Sequence, residues 1–116
     1  EIYRSAGQPV FIPGTMGTAS YVLVGTNEAE GISWGSTAHG AGREMSRSEA
    51  IKRFRGEAVA RELEQRGILV KAASWKGIAE EHIPAYKDID EVCRVSNEAK
   101  LGKLVARLVP LGVVKG

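Results

Sequence analysis

The 116-residue chain has a single cysteine, Cys93, and only seven aromatic residues among Trp, Tyr and Phe. Its 16 Lys+Arg stand against 14 Asp+Glu, which leaves a formal net charge of +2. One cysteine cannot close an internal disulfide, so the fold must hold by packing, and a reducing, cytoplasmic setting is expected. So mild a charge balance does not attract nucleic acid by bulk field alone; local placement of charge has to carry any such function. Long apolar runs are missing too. Stretches such as Tyr21-Val22-Leu23-Val24 are strand-length, far below the roughly 20 residues that span a bilayer. No transmembrane reading survives, and no membrane partner is expected. The start, Glu1, lacks the basic-then-apolar layout of a secretory leader. At 43% hydrophobic and 26% charged residues, the chain has the balance of a globular protein, with length for one core and hence a single domain over residues 1–116.

Glycine is what the chain has in excess, 14 in all, clustered between runs that read as regular structure. Pro9-Val10-Phe11-Ile12 and Thr18 to Val24 read as two strands around a turn at residues 13–17. Residues 25–45, rich in Gly, Ser, Thr and Ala without a period of 2 or 3.6, read as loop. Ser46 followed by Glu49 is a capping-box signature. It opens a predicted helix over 47–66, with Ile51, Phe54, Ala58, Val59 and Leu63 on one face and Gly67 as its stop. Ile68–Ala73 reads as a strand, and Gly77–Tyr86 as a short helix interrupted by Pro84. Asp88 with Glu91 opens a further helix whose apolar face is Ile89, Val92, Cys93, Ser96 and Ala99, closed by Gly102. Extended segments at 104–109 and 112–114 end the chain. The expected class is α+β, mixed strands with about two to three helices.

The stretch Gly35-Ser36-Thr37-Ala38-His39-Gly40-Ala41-Gly42-Arg43 is the most informative. Glycines beside a histidine let backbone N–H groups approach a ligand closely, and the helix start that follows favours an anion. Arg43 and Arg47 are placed to add forked donors. These residue types suit a phosphate site with an imidazole inside it; the same spacing also suits a plain glycine-rich turn with a surface histidine. Gly14-Thr15-Met16-Gly17-Thr18-Ala19-Ser20 is a second glycine-and-hydroxyl loop that matches neither the P-loop nor the dinucleotide fingerprint, so the residues by themselves favour a structural hairpin loop. His82 and Cys93 have no partners at metal-ligand spacing and read as core or surface residues. No Ser-His-Asp or paired-carboxylate arrangement is legible.

Four segments, in order along the chain, carry a resemblance. They are Pro13-Gly14-Thr15-Met16-Gly17-Thr18-Ala19-Ser20-Tyr21-Val22-Leu23-Val24-Gly25, the His39 loop with Ser46-Arg47, Ala85-Tyr86-Lys87-Asp88-Ile89-Asp90, and Pro110-Leu111-Gly112-Val113-Val114-Lys115-Gly116. Together they resemble the C-terminal part of the RtcB-type RNA-splicing ligases. The resemblance implies that His39 is the nucleophile that attacks GTP and becomes linked to GMP. The guanylate then passes to an RNA 3′-phosphate, generated from a 2′,3′-cyclic phosphate, and a 5′-hydroxyl displaces GMP to seal the strand. It further implies that Thr15, Ser20, Gly40, Ala41 and Gly42 line the nucleotide, with Tyr86 packing by its base and Lys115 reaching the guanine. Arg43 and Arg47 would then lie beside the phosphates. Thr15 stands where the family usually has serine, which keeps a hydroxyl but adds a methyl.

The family's manganese ligands lie upstream, and neither Cys93 nor His82 matches them. The chain is therefore expected to be an excised C-terminal piece that depends on the N-terminal remainder of its parent, binds GTP and RNA ends such as tRNA halves within it, takes Mn2+ from upstream residues, and is inactive alone. A reading from another class, a non-enzymatic nucleotide- or RNA-binding module using the same loop, has no need of a central histidine.

Overall fold

The structure, a computed structural model, describes residues 3–116. In chain order its elements are β1 (Pro9–Ile12), β2 (Ser20–Gly25), α1 (Glu28–Ser33), α2 (Arg47–Arg53), α3 (Gly56–Gln65), β3 (Leu69–Ala72), α4 (Trp75–Ala79), a 3-10 turn (Ile83–Ala85), α5 (Ile89–Glu98), β4 (Gly102–Leu108) and β5 (Gly112–Lys115). The α+β class is as expected. The chain falls into two compact units. The first runs to Gly14 and adds Ala19–Ala41 and Asp88–Leu108; the second comprises Thr15–Thr18, Gly42–Lys87 and Val109–Gly116.

The first unit is an antiparallel sheet in the order β1-β2-β4, together with α1 and α5. Strand side chains alternate between faces, so Ile12 is fully buried while its neighbour Phe11 is exposed. Ile12 and Leu23 meet Ile89 and Cys93 of α5 in one core. Helix α5 buries Ile89, Cys93 and Ser96, residues four and three apart that share a face. Its cap, Asp88, accepts from the backbone N–H of Asp90 at 2.9 Å, one residue earlier than the capping box predicts, and Glu91 instead pairs with Arg94 at 2.6 Å. Tyr21, Asp90 and Arg107 tie β2, α5 and β4 together: the phenol donates to the carboxylate at 2.6 Å and Arg107 Nε approaches it at 3.2 Å. The Arg107 guanidinium, with the Tyr21 hydroxyl, holds the Asp90 carboxyl below the usual range.

The second unit packs α2, α3 and α4 with the parallel pair β3 and β5. Met16, Val59, Ala60, Leu63, Ile68 and Ile78 form its core, flanked by Phe54, Val70 and Val113. The Ser46 hydroxyl accepts from Glu49 N–H at 3.1 Å, the cap expected from the sequence.

Four expectations are corrected. The helix predicted over 47–66 is broken at Phe54 and Arg55, which are extended with ψ of 145° and 123°. The break lets α3 start against α4, where the backbone of Trp75 comes so near Gly56 that a Cβ there would lie 2.1 Å from the Trp75 carbonyl oxygen. The apolar period runs through the break unchanged and does not reveal it. Residues 25–45 are not all loop: α1 is six residues long, with Gly31 inside it, too short for a period to show. The helix read at 77–86 is α4, begun by the Ser74 cap, followed by the 3-10 turn at Pro84. Gly102 starts β4, opposite Gly25, rather than closing α5. The helix ends earlier, where Lys100 turns to a φ of 60° and Leu101 N–H returns to Ser96 C=O at 3.0 Å. These short segments bring the α-helices among the described residues to five, against the two to three expected.

Candidate functional site

His39 and Gly40 form a bend in the first unit, and the residues on either side hold it. Ala38 and Ala41 pack against the core of Ile12, Leu23, Ile89 and Cys93, while the His39 side chain between them is exposed. Small apolar residues anchor the loop without filling it, so the imidazole is presented to solvent from a backbone that the core restrains. A methyl group added at Gly40 would come only within 4.0 Å of the Pro13 carbonyl oxygen. Beside this bend, the Thr37 hydroxyl is buried and has no protein partner, a polar group that no sequence signal singled out. Ser20, also of this unit, accepts from Gly14 N–H at 3.0 Å, which closes the base of the glycine-and-hydroxyl loop.

The second unit gathers four of the predicted residues. Two backbone hydrogen bonds, Lys87 N–H to Gly42 C=O at 3.0 Å and Glu44 N–H to Ala85 C=O at 2.9 Å, lay residues 42–44 beside 85–87. At the first of these positions Gly42 has a φ of +76°, a conformation that side chains disfavour. Arg43 and Tyr86 thereby become an isolated bridge pair. The Arg43 guanidinium lies 4.6 Å from the Tyr86 ring centroid and donates from every nitrogen. Nε reaches Met45 C=O at 3.0 Å, Nη1 the Tyr86 hydroxyl at 2.8 Å, and Nη2 Glu80 C=O at 2.5 Å. Its fork is thus engaged by protein acceptors, where the sequence suggested an anion.

The Tyr86 hydroxyl donates in turn to Glu81 Oε2. Burial, and then the Glu81 hydrogen bond and charge, push its phenol above the ordinary value against the opposing pull of Arg43. Arg47 Nε lies 3.8 Å from a carboxylate oxygen of both Glu80 and Glu81, and Lys115 Nζ lies 4.0 Å from Glu81 Oε2. Arg43, Arg47, Tyr86 and Lys115, chosen from three separate motifs, therefore converge on the Glu80–Glu81 pair. Nothing in the spacing of the sequence marks those two glutamates; an acidic pair before a Pro-containing turn is an ordinary surface pattern.

Thr15, in the second unit, bonds locally: its N–H donates to the Thr18 hydroxyl at 2.8 Å, and the two hydroxyls lie 2.9 Å apart. His82 and Cys93 are both buried. Burial pushes the Cys93 thiol up and, as the larger effect, the His82 imidazole down. Among the described residues no three His, Cys, Asp or Glu side chains come together as a metal site. Among them, too, no helix is long and apolar enough to cross a membrane.

The described residues thus present an exposed imidazole on a restrained glycine bend and, in the second unit, three cationic side chains on the Glu80–Glu81 pair, one of them against the Tyr86 ring. The family model described as tRNA-splicing ligase RtcB matches residues 1–116, and the chain belongs to that family. Its relatives include a tRNA-splicing ligase RtcB of Methanopyrus kandleri, 62% identical over 114 residues, covering 98% of this chain and 12% of the relative. One from Pyrococcus furiosus is 55% identical over 116 residues, 100% of this chain and 12% of the relative. An RNA-splicing ligase RtcB of Mycobacterium tuberculosis is 55% identical over 112 residues, 97% of this chain and 26% of the relative. The chain thus spans between about an eighth and a quarter of the length of these relatives. The resemblance read from the four sequence segments is borne out.

Proposed function

We propose that this chain is the nucleophile-bearing, C-terminal segment of a GTP- and manganese-dependent RNA ligase that joins RNA 3′-phosphate or 2′,3′-cyclic phosphate ends to 5′-hydroxyl ends in tRNA splicing or RNA repair. The observation that carries this reading is the presentation of His39, exposed between two alanines packed on the core, in a chain of the tRNA-splicing ligase RtcB family. A ring nitrogen of His39 attacks the α-phosphorus of GTP; a P–N bond forms, and the bond to the departing pyrophosphate breaks. An oxygen of the RNA 3′-phosphate then takes the guanylate and frees His39, and the 5′-hydroxyl attacks that activated phosphate as GMP leaves. Backbone N–H groups of Gly40, Ala41 and Gly42 would face charge developing at phosphorus. Ser20 and Thr15 would supply hydroxyl contacts, Tyr86 a stacking face for the base, and Lys115 a donor to guanine. Arg47, the more exposed of the two arginines, would steer the phosphates. Mn2+ would be held by residues outside this chain, and the activity would belong to the complete protein.

The test is mass spectrometry of the complete protein after incubation with GTP and Mn2+. A guanylate adduct on His39, labile to acid and stable to alkali, is expected, and His39→Ala should lose both adduct and ligation. An adduct at the normal level in that variant would overturn the assignment.

A further inference from the structure

Among the described residues, Glu81 is the one side chain that meets all four members of the cluster in the second unit. Its Oε1 lies 3.4 Å from Arg43 Nη1 and 3.8 Å from Arg47 Nε; its Oε2 accepts from the Tyr86 hydroxyl and lies 4.0 Å from Lys115 Nζ. Those partners come from three places, the 42–47 segment with Arg43 near its start and Arg47 at its end, the residue after the 3-10 turn, and the end of β5. A carboxylate with two oxygens and about four lone-pair sites is one of the few side chains able to serve so many donors at once. At 17% side-chain exposure it does so largely out of water, where each contact is worth more than at an exposed surface.

The arrangement constrains Tyr86 closely. Its hydroxyl is saturated on both sides, donating to Glu81 and accepting from Arg43 at 2.8 Å. The hydroxyl is therefore spent on orienting the ring. One face of that ring is covered by the Arg43 guanidinium at 4.6 Å, so a base can stack only on the other face. Lys115 is the last residue of a four-residue strand, on a flexible side chain whose ammonium would otherwise sweep a wide volume; its pairing with Glu81 narrows that range. Arg43, Arg47 and Lys115 carry three positive charges against the two carboxylates of Glu80 and Glu81, so the cluster keeps net positive charge for an anionic ligand.

We propose that Glu81 is a positioning residue for nucleotide recognition, acting through Tyr86 and Lys115 by fixing the ring plane of the one and the ammonium of the other. This rests on the reading of Tyr86 and Lys115 as guanine-nucleotide residues, and it adds a residue that reading does not contain. In this proposal Glu81 acts only through those two side chains and has no direct part in binding the base or in the chemical step. Its loss should therefore act on GTP capture and on the preference for GTP over ATP more than on the chemical step.

The experiment measures guanylylation of the complete protein as a function of GTP, with ATP as the competing nucleotide, for wild type, Glu81→Ala, Glu81→Gln, Tyr86→Phe and the double variants. Glu81→Ala should raise KM for GTP about tenfold while lowering kcat less than threefold, and should narrow the GTP-over-ATP preference. Glu81→Gln keeps the shape and an acceptor for the tyrosine and should recover part of the loss. Adding Glu81→Ala to Tyr86→Phe should cost clearly less than the tenfold it costs wild type, the remainder being the share that passes through Lys115, because groups that act as a unit are not additive. A folded Glu81→Ala protein with unchanged KM, or losses that simply multiply in the double variant, would overturn the proposal. Should the alanine variant fail to fold, an unchanged KM in Glu81→Gln overturns it and a rise of threefold or more supports it. A wild-type protein that forms no adduct overturns the nucleotide reading and this proposal with it, an outcome distinct from an active wild type with indifferent variants.

Discussion

Replacing Gly56 by alanine should destabilise the protein, although general helix energetics predict the opposite. Gly56 is the first residue of α3, and a glycine-to-alanine change in a helix, at a site with room for the methyl, stabilises by about 0.5–1 kcal/mol, largely by restricting the unfolded chain. Here the methyl has no room. It would sit 2.1 Å from the Trp75 carbonyl oxygen, 2.7 Å from its carbon and 2.8 Å from its Cα. These are backbone atoms of α4, so relief requires the two helices to move apart by roughly 1 Å rather than one side chain to rotate. Overpacking of this kind costs about 1–3 kcal/mol, which exceeds the propensity gain and leaves a net loss of roughly 1–2 kcal/mol. At about 4 °C or more per kcal/mol for a chain of this size, the melting temperature should fall by roughly 4–8 °C. Gly31→Ala is the control: an added Cβ there meets nothing within 4 Å, so this variant should be as stable as wild type or gain a few tenths of a kcal/mol up to about 1 kcal/mol. Thermal melts and urea midpoints of the three proteins decide the matter. A Gly56→Ala protein that melts at or above wild type would refute the argument, because the contact between α3 and α4 would then be loose enough to accept a methyl.

Two further outcomes follow from groups in the second unit. His82 is buried with its Nδ1 unpartnered, and burial holds its imidazole below the ordinary value of 6.5 against the opposing pull of Glu62, 3.7 Å away. Below that ordinary value the unfolded chain takes up a proton that the native state resists. The stability present above about pH 6.5 should therefore fall as the pH drops through the lower native value. Comparing urea midpoints at pH 7.5 and 5.5 should show a smaller difference in His82→Leu than in wild type; an equal difference would remove His82 as the cause. For Lys115, whose carbonyl accepts from Ala73 N–H at 2.9 Å, side-chain replacement is a cleaner probe than truncation. Lys115→Met should raise KM for GTP about fivefold in the complete protein with the melting temperature unchanged, and an unaltered KM would make the residue a solvated lysine.

Interactions that span few residues were legible along the chain. The Ser46 cap meets Glu49 three residues on, α5 buries residues three and four apart, and β1 alternates between exposed Phe11 and buried Ile12; each is a regularity of local geometry that composition displays directly. The glycine-flanked His39 stood out for the same reason, whereas Tyr86 and Lys115 were singled out only by the family resemblance of the short segments that hold them. The break between α2 and α3 was not, since its cause is the backbone of Trp75 against Gly56, and the apolar period on either side is indifferent to it. Nor was Glu81, whose worth lies in meeting Arg43, 38 residues away, and Lys115 at the end of β5. Saturation of the Arg43 fork by Met45, Glu80 and Tyr86 was hidden likewise. Hydrogen bonds and close contacts between distant segments depend on how the chain packs, and packing is selected by the sum of many weak contacts, so no single stretch of residues announces it.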